Sequence, residues 1–211
     1  GSSNTAIGQG ALTTQTTAAN NTGVGKNALT ANTTGFMNTA VGGLAADAGT
    51  TASYNTAIGY EALTTNTTTN SNTAIGYAAL KLNTATGNTA IGSDCLDANT
   101  TGASLVAVGY RALSANTTAN NNVAVGQDSM ISNTTGTENV SVGTYTLYTN
   151  TTGGSNTALG SRSLYTNNAS NNTAVGRNAL YENTTGTQNT AIGAYALDAN
   201  TTSSNNTAVG Y

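Results

Sequence analysis

Histidine is absent from this chain, and cysteine occurs once, at Cys95. Without histidine the Ser-His and Cys-His nucleophile arrangements cannot be built. A single thiol forms neither an internal disulfide nor a zinc site. Charge is just as scarce. Only 6% of the 211 residues are Asp, Glu, Lys or Arg, the formal net charge is −3, and no basic cluster occurs. That balance argues against nucleic acid and acidic membrane surfaces as partners. No apolar run approaches the ~18 residues of a membrane span, so no membrane insertion is expected. No Asn-Gly or Asp-Gly pair is present, which removes the strongest signal for tight hairpins. Strong helix formers such as Glu, Lys and Gln are few. A signal peptide and an initiator Met are also missing, so the chain is expected to be a mature product or an excised piece.

What is present is a repeat. Aligned on a glycine, one phrase occurs thirteen times, at Gly8, Gly25, Gly42, Gly59, Gly76, Gly92, Gly109, Gly126, Gly143, Gly160, Gly176, Gly193 and Gly210. The spacing is 17 residues except for two 16-residue steps, Gly76 to Gly92 and Gly160 to Gly176. Counted from its asparagine, the unit reads N-T-A-I-G-x-x-A-L-x-x-N-T-T-G-x-x. A strict period overrides the usual expectation of one or two globular domains and predicts a single array over 1-211. It also argues against disorder, because a disordered chain has no reason to keep an aliphatic residue in register.

Thr, Val and Ile favour strands, while Gly and Asn favour corners. Thr and Asn are poor in helix interiors. The unit therefore predicts an all-β parallel β-solenoid or β-roll of about twelve 17-residue coils, each with two short strands and two corners. At ~4.8 Å per coil the rod is roughly 58 Å long.

Position 4 is Ile, Val or Leu in every copy, and position 9 is Leu or Met in eleven of twelve, Ala46 being the exception. These columns predict an internal ladder of Ile7, Val24, Val41, Ile58, Ile75 and Ile91, joined by Leu12, Leu29, Leu63 and Leu80. Strand alternation puts positions 2 and 4 on one face and positions 1, 3 and 5 on the other. Position 2 is mostly Thr but becomes Val at Val106, Val123 and Val140, and position 3 is almost always Ala. No charge falls at positions 1–5, so both faces look protected. One is expected to line the lumen. The other, assigned to the Ala side, is expected to meet another chain and so to make a homo-oligomer. The asparagines at positions 1 and 12 fit corners, where stacked amides both donate and accept.

Charges and all ten tyrosines fall at positions 6, 7, 10, 11 and 17, which marks those positions as exterior. Tyr148, Tyr165 and Tyr181 occupy position 10 of consecutive units and should form a ladder. Such a ladder either stabilises the rod or stacks on sugar rings of a surface glycan. Asn-Thr-Thr at Asn32, Asn66, Asn99, Asn116, Asn133, Asn150, Asn183 and Asn200 matches the N-glycosylation acceptor. Threonine at position 13 in eleven of twelve units raises ice binding as an alternative, since regular Thr arrays order water.

The phrase NTAIGxxALxxNTTGxxNTA resembles repeat arrays of bacterial and phage tail-fibre-like surface proteins. Its AIG core is similar to the head repeats of trimeric autotransporter adhesins, whose unit is shorter. The resemblance implies a homotrimeric, extracellular, fibrous or adhesive protein of the cell surface or virion, with a host receptor or surface glycan as partner. Neither end carries a distinct capping unit, so the array is expected to belong to a longer one or to stack end to end. Catalysis is not expected: acid pairs such as Asp94 and Asp97 lie at wet positions. Gly23-Val24-Gly25-Lys26 lacks the Ser/Thr and spacing of a phosphate loop. The regular Asp of calcium-binding solenoids is missing as well, and no cofactor is expected.

Overall fold

The computed structural model describes all 211 residues. Thirteen three-residue strands, β1 (Thr5–Ile7), β2 (Thr22–Val24), β3 (Thr39–Val41), β4 (Thr56–Ile58), β5 (Thr73–Ile75), β6 (Thr89–Ile91), β7 (Val106–Val108), β8 (Val123–Val125), β9 (Val140–Val142), β10 (Thr157–Leu159), β11 (Thr173–Val175), β12 (Thr190–Ile192) and β13 (Thr207–Val209), form one sheet. The sheet is parallel throughout, in the order of the chain, with each coil adding one strand to the last. The register is strict: Thr56 pairs with Thr73, Ala57 with Ala74 and Ile58 with Ile75. The chain is thus a β-solenoid repeat protein of about twelve turns.

Each coil has one strand, where the sequence suggests two. The remainder is a run of turns, and the reason lies in the backbone. In the fourth coil Glu61, Leu63 and Ser71 all adopt φ between 56° and 61°, and positions 7, 9 and 17 do the same along the array. Residues in the left-handed region bend the chain too tightly to continue a strand. The turns are nevertheless laced from coil to coil. Of 129 backbone hydrogen bonds, only 24 lie within strands, so most of the stacking is done by turns. Leu63 N–H, for example, donates to Ala79 O of the next coil, and Thr33 N–H to Thr50 O. The repeated glycine is required by close approach. Gly59 has φ +136°, and a Cβ there would fall 2.3 Å from Gly76 O.

The core is narrower than the sequence suggests. It consists of Leu or Met at position 9 with Ala at positions 3 and 8, as in Leu63, Ala57 and Ala62. Leu12, Leu29, Leu63 and Leu80 are buried as expected, each contributing roughly 1.5–3 kcal/mol. The position-4 half of the expected ladder is not in the core. Ile7, Val41, Ile58 and Ile91 are exposed, and Val24 and Ile75 are half-buried. The space opposite the leucines explains this inversion. Even at Gly23, which stands at position 3, a single added Cβ would meet Leu12 Cγ at 3.1 Å. Only Gly, Ala or Ser fits between the two walls, so the larger aliphatic residue turns outward. The Ala side is therefore the lumen, not a subunit interface.

Two asparagine ladders close the corner. Asn38 shows the pattern at position 1. Its Nδ2 donates to Ala52 O at 2.7 Å, and its Oδ1 accepts from Asn55 N–H at 3.0 Å in the next coil. At position 12, Asn116 Nδ2 donates to Asn99 Oδ1 at 2.8 Å and to Ala119 O at 3.2 Å. Both ladders thus converge on the carbonyl at position 15. The two short coils lose their residue at the Thr-Thr corner: Asn83 Nδ2 reaches a carbonyl two residues on, Ala85, where Asn99 reaches three residues on, to Gly102. The sheet does not register the deletion, since Thr73 still pairs with Thr89 and Thr157 with Thr173.

Candidate interaction face

Because position 3 points inward, positions 2 and 4 of every strand point outward. They make two columns that run the length of the rod, one of Thr (Val in β7, β8 and β9) and one of Ile, Val or Leu. No charged residue lies at positions 1–5 of any coil. Seven of the thirteen aliphatic side chains are exposed, from 37% at Ile58 to 76% at the terminal Val209, and the other six, Val24 and Ile75 among them, are half-buried. In line along the sheet they make one contiguous apolar column on the scale of the few hundred Å² at which an exposed patch marks an interaction surface. The hydroxyls of Thr22, Thr39, Thr56, Thr73 and Thr89 make no hydrogen bond within the chain. They stand one per strand, at intervals of ~4.8 Å.

The position-13 threonines behave differently. Thr33 Oγ1 donates to Thr50 O at 3.0 Å, and Thr50 Oγ1 to Thr67 O at 3.1 Å. Thr134 and Thr184 repeat the bond with Thr151 O and Thr201 O. These hydroxyls are committed to coil stacking. The ordered array of free Thr hydroxyls lies at position 2.

The tyrosine ladder forms. Tyr148 and Tyr165 have ring centroids 5.0 Å apart and planes 1° from parallel, and Tyr165 and Tyr181 are 5.1 Å apart at 13°. That distance is too short for rings lying side by side in one plane, so the faces overlap. Tyr165 has a stacked ring on each side and is half-buried. Burial first, then the adjacent Tyr148 and Tyr181, raise its phenol above the ordinary value. The stacked rings link three successive coils, with Tyr165 held between its two neighbours.

The expected glycosylation positions are internal. Asn32, Asn66, Asn99, Asn116, Asn133, Asn150 and Asn183 are buried, and Asn200 is half-buried. Their Nδ2 groups, the atoms that would carry a glycan, are donors in the ladder. Asn150 donates to Asn133 Oδ1 and Gly153 O, and Asn200 to Asn183 Oδ1 and Ser203 O. The sequon here is a by-product of an inward corner asparagine followed by a stacking threonine.

The charged positions are mostly peripheral, as the sequence suggests, with one exception. Asp128 is buried, its Oδ1 lying 3.5 Å from Arg111 Nε on the preceding coil. Asp47 and Asp97 are half-buried, each with an Oδ1 that has no partner. Burial raises both carboxyls above the ordinary range, and Asp94 adds to the effect at Asp97. Cys95 takes the buried place that Ala62 and Ala79 take in other coils; its Sγ lies 3.3 Å from Ala107 O. Desolvation pushes the thiol up to about 12. No pocket opens anywhere on the rod, and no three His, Cys, Asp or Glu side chains cluster. No helix is long and apolar enough to cross a membrane.

Fold and face together define a β-solenoid repeat protein with one long uncharged Thr/aliphatic surface. No family model, curated protein or solved structure matches the chain.

Proposed function

We propose that this chain is a stiff structural segment of an extracellular, adhesive fibre, in which three copies associate side by side through the Thr and Ile/Val face. The observation that carries this reading is the exposed aliphatic column along an uncharged sheet. Burying such a column is favourable at about 25 cal/mol per Å², and the absence of charge removes the usual penalty for covering it. A face about 58 Å long and two side chains wide spans roughly 600 Å² before side-chain relief is counted. That is of the order of the ~800 Å² per partner found in stable complexes. The stacked coils supply stiffness, and the variable turn positions 6, 7 and 10 carry the side chains that distinguish one level of the rod from another. Tail-fibre-like surface arrays and adhesin heads, which the repeat resembles, agree with this role.

Absolute mass by light scattering tests the reading. A mass near three times 20.8 kDa is expected for the wild type. The double variant Ile58→Asp/Val125→Asp, which places charge on the face and leaves the lumen untouched, should give a monomer with an unchanged circular dichroism spectrum. A trimer that survives both substitutions sinks the assignment of this face.

A second reading is favoured by the unbonded position-2 hydroxyls: the same columns order water and bind ice. It requires a free face and hence a monomer. Thermal hysteresis in a monomeric sample would replace the fibre by this reading, and a monomer with neither hysteresis nor ice shaping removes both.

A further inference from the structure

The columns of the outer face are close to periodic, and a periodic face cannot fix its own alignment. Sliding one rod along another by a whole coil brings Thr back opposite Thr and aliphatic opposite aliphatic. The two shortened coils do not help, because the sheet keeps continuous register across both of them. Position 4 carries little information, being Ile or Val everywhere except Leu159.

Position 2 carries one interruption. In β7, β8 and β9 the threonine is replaced by Val106, Val123 and Val140, each beside the position-4 residue Val108, Val125 or Val142. Adjacent strands pair these residues directly, Val106 with Val123 and Val123 with Val140. Six valines therefore make a continuous apolar block on an otherwise mixed face. Core demand does not account for it. Val106 and Val140 are exposed, and inside the same region the lumen becomes more polar, with Ser129, Ser141 and Thr146 bonded to one another at 2.6–3.1 Å.

We infer that the valine block is a register key, which sets neighbouring copies of this chain level with one another, block against block, when they associate through this face. The inference rests on the side-by-side association proposed above. In the level arrangement valine layers meet valine layers, and threonine layers meet threonine layers whose hydroxyls can both donate and accept. A slip of one coil breaks this at both ends of the block. There a Thr hydroxyl is buried against a valine methyl with no partner, a cost that the level arrangement avoids. A second copy is the occupant that fits, because only a copy carries the same block at the same height within the same uncharged columns.

The test is the alignment of copies in the assembled protein. A spin label is placed at Gln127→Cys in a Cys95→Ala background, since Gln127 is exposed just after β8 and Ala is the usual residue at the Cys95 position. Distances between labels are measured with the native face and with Val106→Thr/Val123→Thr/Val140→Thr. The triple variant only restores the residue found in ten other strands, so the fold is expected to persist. The native face should give one narrow distance. The variant, still associated by mass, should give a broadened distribution with added distances displaced by axial slips in steps of ~4.8 Å. An associated variant with the same single narrow distance overturns the register key and leaves the fibre reading standing. A broad distribution with the native face also overturns the key. A monomeric wild type removes both.

Discussion

Substituting Asn139→Ala removes one rung from the middle of the first asparagine ladder, and the cost can be worked from the bonds it breaks. Asn139 Nδ2 donates to Gly153 O at 2.9 Å and to Asn122 Oδ1 at 3.2 Å, and its Oδ1 accepts from both Asn156 N–H and Asn156 Nδ2 at 3.0 Å. Three of the four partners keep another bond. Gly153 O retains Asn150 Nδ2, Asn122 Oδ1 retains Asn139 N–H, and Asn156 Nδ2 retains Ala169 O. The exception is the buried Asn156 N–H, which is left with no acceptor. An orphaned buried donor costs about 1–3 kcal/mol and each lost but partly compensated bond roughly 0.5 kcal/mol. With the small void added, the loss should be about 3–4 kcal/mol. The chain already contains a partial version of this change. Leu105 interrupts the ladder, so Asn122 has no side-chain acceptor below it, and Leu105 compensates by joining the apolar core. Asn139→Leu should therefore be milder than Asn139→Ala. The assay is urea unfolding followed by circular dichroism at one fixed protein concentration, because association shifts apparent stability. A loss below about 1 kcal/mol for Asn139→Ala, or Leu worse than Ala, would refute the reasoning that the ladder is needed to satisfy the corner backbone.

Three further outcomes follow from the same geometry. Asp97 has a carboxyl pKa raised by burial and by Asp94, so the folded state holds its proton to higher pH than the unfolded chain does. Stability from this group is complete below the ordinary carboxylate pKa of ~3.9 and is lost as pH rises through the raised value. Asp97→Asn should therefore stabilise the rod at pH 7 and be neutral near pH 3, as read from urea midpoints; a benefit independent of pH would contradict the assignment. Cys95, buried with its thiol pushed up to about 12, should resist a maleimide for hours in the native rod and react at once in denaturant. Fast native labelling would show that the coil opens locally there. Ser71 sits at φ 61° on the surface, where glycine carries no steric penalty, as Gly87 demonstrates at the equivalent position with φ 72°. Ser71→Gly should stabilise by about 0.5–1 kcal/mol in the same assay, whereas at an ordinary φ the same change would destabilise.

How much of this was legible in the sequence depended on which physical constraint each residue answers to. The period, the parallel stacking and the asparagine corners could be read because they repeat. Tyr148, Tyr165 and Tyr181 could be placed in a ladder for the same reason. What one unit does inside its own seventeen residues was harder. Leu63 at φ 56° has no propensity signal for the left-handed region, and such a residue reads as strand, which is why two strands per coil were expected where one exists. The two faces of that strand were distinguishable only by size. Ala57 and Ile58 are both apolar, and hydrophobicity alone favours the larger one for the core. Lumen width decides otherwise, and width is a property of the closed coil, set by Leu at position 9 reaching across to position 3. The clue available in the sequence was the near-invariance of Ala: a wall that accepts only Gly, Ala or Ser along thirteen strands is a wall with something close in front of it. The same argument recasts the aliphatic column. Once the narrow lumen has forced Ile and Val outward in every coil, an exposed apolar stripe is built into the repeat, and extending the array lengthens it in proportion. A chain made by adding such coils gains rod length and exposed apolar surface together, so the same narrow lumen that packs the leucines sets how much aliphatic surface the rod presents.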